Sequence, residues 1–311
     1  MTQHSTGRIT RRSALAAGAA LGAGALGASQ AMAAAPGPEA PVPSDPGLGS
    51  APEPLKLNEA VGTTAAVSCV DPYASDIGLS ILQGGGSAMD AAVAMAAALG
   101  VTEPYSCGIG GGGFLLHRDA ATGLVHTIDG RETAPMSYTE TEFTDASGAE
   151  LDFDAVVNSG LSIGVPGTPA MWALAAERFG TLPLGALLEP AEQLARRGFV
   201  VDQHFHSQTD ENAERFSRFP ETARVFLRNG RAPEVGTVFA NPDLADVYRR
   251  LRTEGVETFY RGEIGTAVLA EANAPSTVAG REVQGSPMTA ADLACYSPVL
   301  RAPTVLSLIH I

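Results

Sequence analysis

A layered α+β fold is what this sequence predicts, on three observations. Strand-like stretches at residues 61–70, 114–118 and 124–128 are interleaved with helix-like ones, without the strict strand–helix–strand rhythm of a doubly wound sheet. The 35 glycines among 311 residues fall in discrete clusters between apolar segments, which excludes a collagen-like or wholly disordered chain. Finally, 45% hydrophobic residues against 17% charged ones supply ample material for a core in one large domain or two small ones.

The elements follow in order. β-branched alternation over residues 61–70 reads as a strand, after which Pro72 opens a short helix through Leu82 that Gly84-Gly85-Gly86 stops. Ser87 with Asp90 three residues on starts a second helix in the manner of a capping box. Its Ala, Met, Val and Leu content to Leu99 is apolar all round, so it should be buried. A glycine loop over residues 108–113 then leads into two strands, 114–118 and 124–128, joined by a turn at Thr122-Gly123. The second half is more helical. A strand at 161–165 and a Pro166-Gly167 turn precede a helix from Thr168 to about Arg178, and a further helix over 184–197 is stopped by Gly198. Asn241 as cap and Pro242 at the first helical position begin another, with Leu244, Val247, Tyr248 and Leu251 on one face.

Charge and termini narrow the function. With 34 acidic against 20 basic residues the chain carries −14, so no basic face exists to release counterions from a phosphate backbone, and nucleic acid is excluded as a partner. Lys56 is the lone lysine, which we read as coding bias. Residues 1–35 read as a twin-arginine-type signal peptide: Arg8, Arg11 and Arg12 with no acid, then a weakly apolar stretch from Ala14 to Ala28. Thr10-Arg11-Arg12-Ser13-Ala14-Leu15 matches the start of such a signal, with Ala14 where Phe often stands, and cleavage is expected near Ala33 or Ala35. The apolar run falls short of the roughly 18 residues that span a bilayer, so no stable membrane anchor is expected and the destination is secreted or the periplasm and cell envelope. Residues 36–55 form a Pro-rich linker, and the domain covers 56–304.

Three motifs invite chemistry. Cys69, Cys107 and Cys295 are odd in number and far apart, which implies no disulfide framework; they read as partly buried thiols, and no sequence feature gives Cys107 a base. The run at 108–113 lacks the Gly-Lys-Ser/Thr ending of a phosphate loop and feeds a strand where a dinucleotide fingerprint needs a helix, so it reads first as tight packing and second as close approach of backbone to a ligand or another chain. Asp129-Gly130-Arg131-Glu132-Thr133-Ala134-Pro135 sets an arginine just after a buried strand. Arg131 could clamp a carboxylate through two parallel hydrogen bonds, or bridge to Asp129 or Glu132, and the motif alone leaves both open. His204 and His206, two apart and with no third ligand nearby, read as solvated side chains and not a metal site.

Taken together and in order, these residues resemble the gamma-glutamyltranspeptidase family. The likeness runs through residues 71–82, Gly84-Gly85-Gly86-Ser87-Ala88-Met89-Asp90, Glu103-Pro104, the glycine run to Phe114, and the segment from Asp129 to Pro135. It continues through Gly164-Val165-Pro166-Gly167, Pro190-Ala191-Glu192-Gln193-Leu194-Ala195 with Gly198-Phe199, Phe259-Tyr260-Arg261-Gly262, and Asp292-Leu293-Ala294 before Tyr296. What the resemblance implies is an N-terminal-nucleophile hydrolase, a four-layer αββα sandwich made as one chain that cuts itself into a large and a small subunit. This chain would be the large-subunit part.

In that family a threonine freed by the cut attacks a γ-glutamyl carbonyl with its own α-amine as base, and water or an amino acid resolves the acyl-enzyme. No metal or organic cofactor is implied, and the small subunit of the same precursor is the expected partner. The resemblance gives Arg131 the role of gripping the glutamyl α-carboxylate of a donor such as glutathione. The nucleophile is expected outside these 311 residues, so no catalytic residue is assigned within them and the chain alone is expected to be inactive. Residues 305–311 leave the pattern after Arg301-Ala302-Pro303, which we read as a truncation or frame error. Related readings are an acylase of β-lactam side chains, a depolymerase of poly-γ-glutamate, or a non-catalytic remnant that keeps the carboxylate site.

Overall fold

A computed structural model describes residues 59–307. The expected signal peptide and the linker at 36–55 lie outside the described residues, as does the end of the off-pattern tail.

Helices α1 (Pro72–Gln83), α2 (Ala88–Thr102) and the single turn α3 (Pro104–Cys107) lead into the hairpin β1 (Gly113–Arg118) and β2 (Val125–Gly130). After α4 (Phe153–Val157) and a 3₁₀ turn at Gly160–Ser162 come α5 (Thr168–Phe179), α6 (Leu184–Arg197) and β3 (Phe199–Val200). Next are α7 (Gln203–Phe216), α8 (Pro220–Phe226), β4 (Val238–Phe239), α9 (Pro242–Glu254), α10 (Glu257–Tyr260), α11 (Glu263–Asn273), α12 (Ala290–Cys295) and β5 (Val299–Arg301).

Local chemistry explains the helix boundaries. The Asp71 carboxylate accepts the Ala74 N–H at 2.8 Å with Pro72 behind it, so a donor that the first turn would otherwise leave unpaired has a partner. Ser87 and Asp90 close the expected capping box: Ser87 N–H donates to Asp90 Oδ2 at 2.7 Å and Asp90 N–H to Ser87 Oγ at 3.1 Å. Helix α6 ends at Gly198, whose φ of 85° is a left-handed value that a side chain would resist. Asn241 caps α9 by accepting Leu244 N–H at 3.0 Å.

The core gathers around α2, whose all-round apolar surface is buried at Met89, Val93, Ala94, Ala97 and Val101. Trp172 of α5, Leu187 and Leu188 of α6, and Tyr248 and Leu251 of α9 close on it, each contributing roughly 1.5–3 kcal/mol of apolar burial. Trp172 stacks on Tyr248, whose hydroxyl donates to Ala97 O at 2.8 Å and so stays satisfied inside the core.

Beside this helical body lies a three-stranded antiparallel sheet in the order β1-β2-β5. Leu115 pairs with Ile128 and His117 with His126 on the face turned to the helices, where both imidazoles stack near Phe179. Phe114, Leu116 and Val125 project from the other face, and Phe114 and Leu116 are 62% and 67% exposed. The two-residue pair β3–β4 carries Phe199 and Phe239 into the core.

The α+β class stands, with three corrections. Residues 61–70 form no strand: the segment runs beside Leu82, Ala92, Met95 and Leu99 of the α1/α2 hairpin, and alternation cannot make a strand without a neighbour to complete its ladder. The expected strand at 161–165 is the end of the 3₁₀ turn plus one bridge, in which Val165 N–H donates to Thr133 O at 2.8 Å. Cys69 and Cys107 are half-buried as expected, but Cys295, closing α12, is exposed.

Candidate functional site

Arg131 stands where β2 ends. Its strand is locked in register by Gly113 opposite Gly130, so the chain leaves the sheet at a fixed point. Both backbone polar groups of Arg131 are then held by side chains. Its N–H donates to Asp129 Oδ1 at 3.1 Å, and its carbonyl accepts the Tyr296 hydroxyl at 2.8 Å, across 165 residues of sequence. Asp129 Oδ2 also accepts Arg301 Nε of β5 at 2.6 Å. The Arg301 guanidinium and the Arg131 N–H together hold the Asp129 carboxyl below its usual range.

This settles which acid neighbours the guanidinium. Asp129 is engaged by Arg301 and by backbone, whereas Arg131 Nε lies 3.3 Å from Glu132 Oε2. That oxygen is buried yet makes no hydrogen bond among the described residues, so the pair is one of proximity and not of aligned donors. The Arg131 side chain remains 56% exposed, and an exposed ion pair of this kind holds it by at most about 1 kcal/mol. The guanidinium fork is therefore available to a better-aligned carboxylate.

Under the arginine the glycine run packs as expected. Gly111 O accepts both Gly167 N–H at 2.8 Å and Thr168 N–H at 3.0 Å. A Cβ at Gly112 would run into the Gly130 carbonyl, the Glu132 amide and the Glu132 carboxylate. Close approach of backbone to backbone is what those positions require, while Gly110 has open space around it. Beyond the arginine, Asp292 Oδ1 accepts Met136 N–H at 2.6 Å and fixes the far end of the loop. Burial pushes the Asp292 carboxyl up, but Met136 N–H and the Thr289 cap outweigh it and the net shift is downward.

The other candidates lie elsewhere. His204 is not simply solvated: its Nε2 is 3.2 Å from Oε2 of the buried Glu103, while His206 Nδ1 is 2.8 Å from Pro233 O. Burial and the Glu103 charge raise the Cys107 thiol, the reverse of what a nucleophile needs. Among the described residues no group of three or more His, Cys, Asp or Glu could hold a metal ion. Sequence reasoning missed Tyr296 and Arg301 as partners of the arginine loop, because contacts over such separations leave no local pattern.

A γ-glutamyltranspeptidase family profile matches residues 74–309, well over half of the chain and inclusive of every residue named around Arg131. The chain belongs to the γ-glutamyltranspeptidase family. Among curated relatives, the glutathione hydrolase proenzyme of Bacillus subtilis (strain 168) is 38% identical over 203 residues, 65% of this chain and 34% of that protein. Two solved structures superpose on it: the Helicobacter pylori γ-glutamyltranspeptidase at TM-score 0.74 and 31% identity, covering 80% of this chain and 68% of that one, and a cephalosporin acylase from Bacillus halodurans at TM-score 0.65 and 31% identity, covering 81% and 48%. The chain thus spans about a third of the length of the curated relative. Its α+β fold is that of the N-terminal-nucleophile hydrolase sandwich, of which the described residues form a helical layer and part of a sheet. No helix among the described residues is long and apolar enough to cross a membrane.

Proposed function

We propose that this chain is the large-subunit portion of an enzyme that transfers or hydrolyses γ-glutamyl groups, and that Arg131 binds the α-carboxylate of the donor. The observation that carries the reading is the Arg131 fork itself: anchored through both backbone groups, more than half exposed, and opposed only by a poorly aligned Glu132. A carboxylate taken by that fork at one end of the glutamyl unit directs the γ-carbonyl at the other end to the nucleophile. The nucleophile is a threonine of the small subunit, released by self-cleavage of a common precursor. Its Oγ attacks the γ-carbonyl carbon, its α-amine takes the hydroxyl proton and returns it to the departing amine, and water or an amino acid then releases the acyl group.

The small subunit also supplies cover for the outer sheet face, where Phe114 and Leu116 stand exposed. Export by the twin-arginine route goes with this reading and rests on Arg11-Arg12; replacing both by lysine in a reporter fusion should abolish export. Glutathione, named for the Bacillus subtilis relative, is the first donor to test. The cephalosporin acylase neighbour keeps an acylase of β-lactam side chains as the second reading, and poly-γ-glutamate is a third donor to assay beside them.

The test uses the two-subunit enzyme. Arg131→Lys keeps the charge but loses the fork, so kcat/KM for a chromogenic γ-glutamyl anilide should fall by about 1.5–3 kcal/mol, roughly ten- to a hundredfold. Arg131→Ala should fall further and still be processed into two subunits on a gel. An alanine variant that is processed and keeps wild-type kcat/KM would remove the clamp from Arg131 and leave only its pairing with Glu132.

A further inference from the structure

We propose that Tyr296 is a positioning residue for donor recognition, acting through the Arg131 carbonyl; this rests on the clamp role of Arg131 just proposed. Arg131 follows the last paired residue of β2, and a guanidinium on the first residue past a strand is only as well placed as its own peptide. One side of that peptide is fixed locally by Asp129, two residues upstream. The other depends on one long-range bond, the 2.8 Å donation from Tyr296 Oη to Arg131 O.

Three independent features are built around that bond. The Tyr296 ring stacks on Tyr260 with centroids 5.7 Å apart and planes within 8°. Tyr260 is itself pinned, its hydroxyl donating to Pro166 O at 2.9 Å and accepting Ala170 N–H at 3.2 Å. The hydroxyl reaches Arg131 through space that only a glycine at 167 leaves open, since a Cβ there would collide with both Tyr296 Oη and the Gly130 carbonyl oxygen. Burial first, and then the Asp129 and Glu132 charges, push the Tyr296 phenol up to about 12, so its proton is present for donation at any physiological pH. A tyrosine that served packing alone would not need a hydroxyl aimed at the Arg131 carbonyl.

Without the hydroxyl, the Arg131 carbonyl loses its side-chain partner, and of the two backbone bonds that side chains make to Arg131 only the one to its N–H is left. The guanidinium then samples a wider range, and what suffers is the bond it makes to a donor's carboxylate, not the chemistry at the γ-carbonyl. The experiment compares two donors on the two-subunit enzyme: the L-γ-glutamyl anilide and its α-methyl ester, which keeps the amine but removes the carboxylate charge. Tyr296→Phe should raise KM for the free-carboxylate donor about three- to tenfold, with kcat within about twofold, processing normal, and kcat/KM for the ester unchanged. Equal losses on both donors, or no change on either, would overturn the positioning role. Arg131→Ala is the control that separates the two levels: if it leaves the preference for the free carboxylate intact, the clamp reading itself fails, whatever Tyr296 does.

Discussion

The helical body and the Arg131 corner are built on opposite principles. Around α2 the chain closes on itself: Trp172, Leu187, Leu188, Tyr248 and Leu251 are all buried, and the capping boxes and prolines that start the helices lie within a few residues of the turns they serve. At the corner, the arginine is half out in solvent, its loop is tied down by Tyr296, Asp292 and Arg301 from the far end of the chain, and the sheet beside it leaves Phe114 and Leu116 exposed. Burial is concentrated in the first region, and the proposed recognition of the donor in the second. The exposed Phe114 and Leu116 put on the corner's side of the sheet the face that the proposed small subunit would cover.

The largest test of this contrast is activity. The 311-residue chain alone should release no chromophore from a γ-glutamyl anilide, while the same chain matured with its small subunit should; turnover by the isolated chain would place the nucleophile inside it. Next comes the body itself. Trp172→Ala should cost about 3–5 kcal/mol in denaturant unfolding, since Trp172 is 2% exposed and stacked on Tyr248. Trp172→Phe should cost much less, because the indole N–H it removes has no partner among the described residues.

A smaller effect is expected from Asp90, which is fully buried at the start of α2. Burial pushes its carboxyl up, but the Thr181 hydroxyl at 2.6 Å, the Ser87 and Leu182 amides and the Ser87 hydroxyl overcome it and lower the pKa from 3.8 to about 2. A carboxyl whose pKa is depressed on folding stabilises the protein above its unfolded value and loses that contribution as pH falls. Between about pH 4 and pH 2 the chain should therefore lose on the order of 2 kcal/mol, and Asp90→Asn should start lower and lack that step. An unchanged acid profile in the asparagine variant would mean that other groups carry the transition. Smallest of all, Phe114→Ser with Leu116→Ser should shift the stability of the isolated chain by no more than about 0.5 kcal/mol, yet reduce its binding of a hydrophobic dye and weaken assembly with the small subunit. A large loss of stability in the isolated chain would show that this face is already covered.

What the sequence determined by itself is what short-range chemistry specifies. Ser87 and Asp90, Asn241 and Pro242, and Gly198 mark helix ends because each acts on backbone within a turn of itself, and the apolar surface of α2 announced its burial. Arg131 stood out for the same reason, as a cation just past a strand in an ordered motif. What only the tertiary structure decided is where partners must come from afar. Residues 61–70 alternate like a strand but have no neighbouring ladder, and 161–165 yields a turn and one bridge because Val165 meets Thr133 alone. Likewise nothing local told that Asp129 would be taken by Arg301, leaving Glu132 beside the guanidinium, or that Tyr296 would reach the Arg131 carbonyl through the gap at Gly167. Those bonds join residues more than a hundred positions apart, and no periodicity or spacing records them, because the side chains meet only once the helical body has brought α12 and β5 against the end of β2.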